Sequence, residues 1–470
     1  MYIRINKTAE RGLAFAPYSH AIMGGTFIAQ KKQRWEERMM RGMSRLLRMN
    51  CCLCISMVAC LSNVSRLNAQ TLTWLGALSG DAFSESKDVS AGMGVSAGCD
   101  VAVIGRSVDA NNNWHAFLWR NGQMIDLGTL GGSSYAWGIS GDYKVIVGVS
   151  WLEGNQQNFA VGWFWECEDQ VCGYRIRNLG TLGGTGSWAR AVSCDGTRIV
   201  GNALTPSQET HAFLWQNNAM LDLYPTRSWS DAWNISPNGL AVVGAYRNDS
   251  NQYRAFLWTE QDGVRDLGVP SGEGWVWSFA TAVSDNQIVV GAAENNSTRM
   301  AFRWSSNEGM QLLPLPAGYT WADAYGISAD GTIIVGRART PDWTPHAFRW
   351  TPAGAEDLNT TYAHLLTDGS HLSIARAISP DGRYITGWGF HASTGRTEAF
   401  VLDTQPVCGH GGDINCDGCV DDTDVLLLLF AFGEEGTDLG RVDVDCNGIV
   451  DDADLLIVLF NFGICSGCPL

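Results

Sequence analysis

Charge is scarce in this sequence: 17% of its 470 residues are Asp, Glu, Lys or Arg, against roughly a quarter in an average soluble chain. Beside 54 Gly and 20 Trp, that scarcity argues for a turn-rich β protein rather than a helical one. The net charge of −16 is unevenly spread. Residues 1–69 are net positive, the middle of the chain is acidic, and the segment after 403 is the most acidic. Past the first 69 residues nothing basic is concentrated enough to grip nucleic acid. Histidine is also rare, with 8 in all, and none has the spacing of HExxH. There is no phosphate-binding Gly loop, and the CxxC strings are not paired at zinc-site spacing.

The N-terminus has the pattern of an export signal. Arg41, Arg45 and Arg48 precede the apolar stretch Met49–Leu61, and Leu67-Asn-Ala69 suits a signal peptidase cutting before Gln70. The apolar stretch is too short for a membrane span. The segment before Met40 makes a long leader; a start at Met40 or Met43 gives an ordinary one. An alternative reads Val58-Ala59-Cys60 as a lipoprotein site, with Met57 a poor first residue for it. Of 14 Cys, Cys51, Cys52, Cys54 and Cys60 lie in this leader. The rest belong to an exported chain, where disulfides are permitted. Cys167 and Cys172 flank a short turn and are the natural local pair. Cys408, Cys416, Cys419, Cys446, Cys465 and Cys468 cluster near the C-terminus, with connectivity left open.

Residues 71–402 are an internal repeat array. An Ala-Phe-Leu-Trp strand marker occurs at His115–Trp119, His211–Trp215, Ala255–Trp258, Ala301–Trp304, His346–Trp350 and Ala399–Leu402, with a degenerate copy at Gly162–Trp165. A second marker is an apolar run ending in Gly105, Gly148, Gly201, Gly244, Gly291, Gly336 and Gly387. A third is a Ser before a turn, at Ser96, Ser140, Ser193, Ser236, Ser284, Ser328 and Ser379. Each marker recurs at a spacing of about 46 residues, close to the period of a propeller blade. Each unit reads as four short strands, with turns such as Asp195-Gly196 and Asn238-Gly239 separating the first two. Seven such units predict a closed seven-bladed β-propeller, which hides its sheet edges. The array opens on a fourth-strand motif, Leu72–Leu78, and ends on a third-strand motif, Ala399–Leu402. The N-terminal strand is therefore expected to complete the last blade. A β-solenoid is the main alternative.

These units resemble the HAF family of extracellular repeats, after the His-Ala-Phe kept at His115, His211 and His346. The fuller motif is best preserved from His115 to Gly132, and Asn178–Gly184 repeats its second half. The resemblance covers the whole array and implies export rather than any particular reaction.

Near the C-terminus two twelve-residue loops follow one another about thirty residues apart, each with oxygen side chains at positions 1, 3, 5, 9 and 12 and Gly at position 6. A hard cation wants that ring of oxygens, with the position-7 carbonyl among them. An apolar run follows each loop, Val425–Phe432 and Leu455–Phe462, and predicts a short helix. The paired pattern, roughly 411–463, resembles the type I dockerin module, a calcium-dependent plug for cohesin scaffolds. The resemblance implies two calcium ions. One is held by Asp413, Asn415, Asp417, the Cys419 carbonyl, Asp421 and Asp424. The other is held by Asp443, Asp445, Asn447, the Ile449 carbonyl, Asp451 and Asp454. The helices lack the Lys or Arg typical of dockerins.

For the repeated residues a structural role comes first. The Phe and Trp of each marker strand are expected between adjacent sheets, and the His at its head on a neighbouring backbone group. Cys99 and Cys194, in equivalent turns, read as lone thiols. Asp88, Asp231 and Asp323 lie on or near first strands, which line a propeller's channel, yet no spacing marks a catalytic pair. Five aromatics, Trp137, Trp188, Trp233, Phe279 and Tyr325, recur two to five residues before the marker Ser. They either fill the wedge between blades or form a ring on which sugars stack.

The organisation expected is thus a leader and signal peptide over 1–69, a propeller over 70–403, a linker over 404–412 and a small α-helical, dockerin-like or EF-hand-like calcium module over 413–465. The function read from it is non-catalytic recognition or assembly outside a bacterial cell, released or surface-attached. The propeller would bind an extracellular ligand such as a polysaccharide. The calcium module would attach to a cohesin-like protein or a cell-surface component. The alternatives are a dockerin-bearing glycoside hydrolase and a purely structural envelope protein.

Overall fold

The computed structural model describes residues 70–464 except 79, 92–100, 121, 156, 169–170, 273, 405–411, 415–418, 435–441 and 445–448. The leader over 1–69, the cysteines 99, 408, 416, 446, 465 and 468, and most of the linker lie outside the described residues.

Seven antiparallel sheets of four strands each form the propeller. Blades 1 to 6 cover 81–126, 131–178, 187–222, 230–268, 277–312 and 321–357, each with its strands in chain order from the channel outward. Blade 7 takes its three inner strands from 371–403 and its outermost strand, Thr71–Gly76, from the other end of the array. Register runs from Thr71 opposite Asp403 to Gly76 opposite Ala399. The expected clasp is present.

The repeat markers have physical reasons. The marker Ser closes the hairpin between the first two strands: Ser236 Oγ accepts from Ala241 N at 3.0 Å and donates to Asn238 Oδ1 at 2.7 Å. Ser140 and Ser193 do the same with Asp142 and Asp195. In blade 1 the register places Ser90 opposite Ala102, so Ser90 holds this position. That corrects the expectation of Ser96, which lies outside the described residues. A second serine, on the first strand, locks blades 1 to 5 each to the blade before it. Ser134, Ser187, Ser230 and Ser278 accept the amide of Ala116, Ala160, Ala212 and Ala255, while Ser84 accepts that of Ala399 and so closes the ring. Those alanines are fully buried, as are Phe117, Phe213, Phe256, Phe302, Phe348 and Phe400 beside them. The apolar clusters they join, such as Ala191, Val200 and Leu214 with Ala232, Val242 and Phe256, bridge neighbouring blades. Phe therefore packs between sheets as expected.

The His at the head of the marker strand does otherwise. His211 Nδ1 lies 2.6 Å from Asp222 Oδ2 and His346 Nδ1 lies 2.8 Å from Asp357 Oδ2. The partner is thus the carboxylate of the Asp-Leu-Gly segment on the next strand, not backbone. This pairing ties the His at the head of the marker strand to an Asp 11 residues further along the chain. Cys167 and Cys172 form a disulfide. Cys194 is also disulfide-bonded, which corrects its reading as a lone thiol.

After the propeller come two short helices, Asp422–Ala431 and Asp452–Phe460. Both begin three residues before the apolar runs, because Asp421 and Asp451 cap them and Asp424 and Asp454 complete capping boxes. Ile414, Val420, Leu428, Val444, Val450 and Val458 pack together between them. Val420 exchanges backbone hydrogen bonds with Gly463 and Ile464, and Val450 does so with Gly433 and Glu434, so each loop is braced by the residues following the other helix. Among the described residues no helix is long and apolar enough to cross a membrane.

Candidate binding channel and calcium loops

The first strand of every blade carries a β-bulge at the same place. Register skips one residue opposite the marker Gly, at Lys87, Trp137, Arg190, Trp233, Thr281, Tyr325 and Arg376. A bulge leaves one residue unpaired and turns its side chain out of the pleat. The marker Gly is the other half of this device. A Cβ on Gly201 would overlap the Trp188 carbonyl oxygen, and one on Gly244 the Asp231 carbonyl oxygen. Only glycine lets the bulged strand come so close.

All seven bulge residues are half-buried and line one channel of about 570 Å³. Around the ring they run cation, aromatic, cation, aromatic, hydroxyl, aromatic, cation. Two residues further along each first strand stands a β-branched aliphatic, Val89, Ile139, Val192, Ile235, Val283, Ile327 or Ile378, none more than 8% exposed. They form a second, apolar layer of the same channel.

The five aromatics proposed as a ring therefore part company. Trp137, Trp233 and Tyr325, three residues before the marker Ser, reach the channel. Trp188 and Phe279, five before it, are not among its lining residues. Phe279 instead stacks on Trp233, with centroids 5.9 Å apart and planes at 20°. Sequence reading missed the other four members, Lys87, Arg190, Thr281 and Arg376. A strict spacing of three before the Ser finds all of them once Ser90 is taken for blade 1.

The charges in the ring are held differently. Arg190 lies over Trp137 at 4.3 Å and donates to Asp231 at 3.3 Å. Lys87 is 3.6 Å from Glu85 and lies over Trp388 at 4.5 Å. Burial, then the charge of Arg376, lowers its ammonium to about 7 against the attraction of Glu85. Asp88 beside it accepts the amides of Val89 at 2.9 Å and Ile139 at 3.2 Å, yet burial still raises its carboxyl to about 6. Burial also raises Asp231. Asp323, by contrast, is 1% exposed and taken up by Arg299, Arg337 and the Tyr325 hydroxyl. Of the three carboxylates marked in the sequence, Asp88 and Asp231 line the channel and Asp323 does not.

Of the positions expected to hold calcium, Asp413, Cys419, Asp421, Asp424, Asp443, Ile449, Asp451 and Asp454 are described. Asn415, Asp417, Asp445 and Asn447 lie outside the described residues. Among the described residues no three His, Cys, Asp or Glu side chains converge as a metal site. The carboxylates at position 12 nevertheless fit a cation-holding loop. Asp424 and Asp454 are fully buried beside an apolar cluster. Asp424 accepts the amides of Ile414 at 2.6 Å and Asp421 at 2.9 Å, and Asp454 accepts that of Asp451 at 2.9 Å. Burying a carboxylate is costly unless charge compensates it. The donor set, all oxygen, suits calcium rather than a softer metal. Cys419 is disulfide-bonded, so only its carbonyl is open to a metal.

No protein-family model matches the sequence, and neither does any curated protein. Solved propellers are similar in fold. The oligogalacturonate lyase from Vibrio parahaemolyticus is 10% identical with a TM-score of 0.46, over 71% of this chain and 93% of that one. The β-propeller domain of the Trilobed protease from Pyrococcus furiosus is 12% identical with a TM-score of 0.44, over 69% and 96%. TolB from Acinetobacter baumannii is 12% identical with a TM-score of 0.38, over 65% of this chain and 64% of that one. Nothing about ligand or activity follows from these similarities.

Proposed function

We propose that this is an exported bacterial binding protein whose propeller channel takes the end of an extracellular glycan. The observation that carries the reading is the presence of Trp137, Trp233 and Tyr325 on one bulge ring facing one channel. Flat aromatic faces with polar neighbours are the usual surface for a sugar ring. The C-terminal loops serve as a calcium-dependent attachment module for a cohesin-like protein or a cell-surface component. Calcium would be held by the twelve residues assigned to the two loops and would supply the charge that their crowded carboxylates need to fold together. An attachment role is further supported by Leu426 and Phe430 on one helix and Leu456 and Phe460 on the other, at equivalent positions and 52%, 85%, 52% and 83% exposed.

The test is incubation of the purified protein, with calcium, against a panel of polysaccharides, scoring depletion from solution and new reducing ends. Depletion without new ends is expected. New reducing ends would overturn the non-catalytic reading in favour of a glycan-cleaving enzyme and direct attention to Asp88 and Asp231. No depletion on any glycan would overturn the reading and leave a structural envelope role. A second measurement follows calcium by calorimetry. Two ions should bind the wild type. Asp424→Ala with Asp454→Ala should abolish binding, and chelator should remove the helical signal while the β signal stays.

A further inference from the structure

Arg376 differs from every other cation facing the channel. Lys87 has Glu85 at 3.6 Å, Arg190 has Asp231 at 3.3 Å, and Arg299 has Asp323 at 2.5 Å. Among the described residues Arg376 makes no ion pair and no hydrogen bond. Its one close partner is the ring of Tyr325, 4.9 Å from the guanidinium. Guanidinium does not give up its proton inside proteins. Burial, and to a lesser degree the charge of Arg190, oppose the cation, while Tyr325, Asp88 and Asp323 favour it. Arg376 also repels Lys87, its neighbour across the junction of blades 7 and 1. Arg376 therefore holds its charge in the channel with no carboxylate bonded to it, and Lys87, whose own partner is Glu85, feels that charge. An anion entering from solvent would relieve both.

The planar fork of arginine matches a carboxylate with two parallel hydrogen bonds. The rest of the ring is aromatic, which a bare inorganic anion does not need. A ligand that uses both features carries a carboxylate on a sugar ring. Resting on the glycan reading above, we propose that the bulge ring is an anion-recognising subsite for a uronic acid unit. Arg376 takes the carboxylate, Lys87 stands beside it, and Tyr325, Trp233 and Trp137 border the sugar ring. The channel volume of about 570 Å³ falls in the range of small-molecule sites and suits the terminal one or two units of a chain.

The experiment is calorimetric binding of an oligouronate and of the same oligosaccharide with its carboxyls reduced to alcohols, using the full protein. The wild type should bind the acidic form at least tenfold more tightly. Arg376→Met should bring the acidic ligand down to the neutral one's affinity at an unchanged melting temperature, since Arg376 makes no hydrogen bond to lose. Arg376→Lys, which keeps the charge without the fork, should fall between. Acetate at high concentration should not displace the oligouronate; displacement at equal affinity would mean that any carboxylate suffices and would overturn the sugar assignment. Equal binding of both oligosaccharides, unaffected by Arg376→Met, would overturn this inference and leave the glycan reading intact. Binding of neither would overturn both.

Discussion

Lys87 and Asp88 are adjacent in the chain and respond to the channel in opposite ways. Burial lowers the lysine to about 7 and raises the aspartate to about 6. The groups acting on Lys87 are Glu85, Arg106 and Arg376, and those on Asp88 are Arg376 and the amides of Val89 and Ile139. As pH falls from 8 to 5 the lysine gains a charge and the aspartate loses one, so both steps make the channel more positive. Affinity for an oligouronate should rise by about tenfold over that range, given Coulomb energies of order 1 kcal/mol at such separations. Lys87→Met should remove the step near 7 and keep the one near 6; a flat pH profile in the wild type would count against both. Asp357 bears on stability instead. Burial pushes its carboxyl up, but hydrogen bonds from His346, Tyr319 and Asn359 outweigh it and hold the group at about 2, below the ordinary 3.8. A depressed carboxyl contributes stability above its unfolded value, lost as pH falls through the folded one, and here the contribution is about 2 kcal/mol. Asp357→Ala should lower the unfolding free energy from denaturant titration at pH 7 by that amount, and the difference from wild type should vanish toward pH 2.

The bulged first strand is the element on which the site depends. Gly244 is obligatory because the Asp231 carbonyl presses on its Cα, and the same contact turns Trp233 into the channel. Gly244→Ala should cost about 3 kcal/mol, at the high end for overpacking, and should alter the fluorescence of Trp233. Gly173→Ala is the control, since a Cβ there meets nothing within 4 Å and its cost should stay within about 0.5 kcal/mol. Equal effects of the two substitutions would show that the bulge contact is not what the glycine serves. The bulge also explains what could be read in advance. Blade number, strand order and clasp are periodic and were legible from the Gly, Ser and Ala-Phe-Leu-Trp markers. Side-chain direction was not, because an inserted residue breaks the alternation on which reading a strand's faces rests. Trp188 and Trp137 look alike by residue type but stand five and three residues before their serines, and only the second reaches the channel. The cations Lys87, Arg190 and Arg376 are isolated in the chain, and only the closed ring brings them to one layer.

Closure of that ring is a property of the whole molecule, and one short strand controls it. Thr71–Gly76 pairs along its length with Arg396–Asp403. Trp74 lies flat on His391 with centroids 4.8 Å apart, and Leu75 is 7% exposed in the cluster that joins blades 7 and 1. Across the same junction Ser84 accepts the Ala399 amide at 3.0 Å and donates to the Gly76 carbonyl, while Ser86 donates to the Gly387 carbonyl at 2.6 Å. Without the strand, Arg396–Asp403 becomes an open edge, free to pair with another copy. Removing residues 70–76 should lower the melting temperature by on the order of 10 °C, as loss of several kcal/mol does in a domain of this size, and should produce concentration-dependent association. It should also cost oligouronate binding, because Arg376 and Lys87 stand on the two blades that the clasp holds together. Trp74→Ala, which keeps the backbone pairing and loses the stacked ring, should show a smaller drop in melting temperature and retain binding. A clasp-deleted protein that melts like the wild type and stays monomeric would mean that blade packing alone closes the ring.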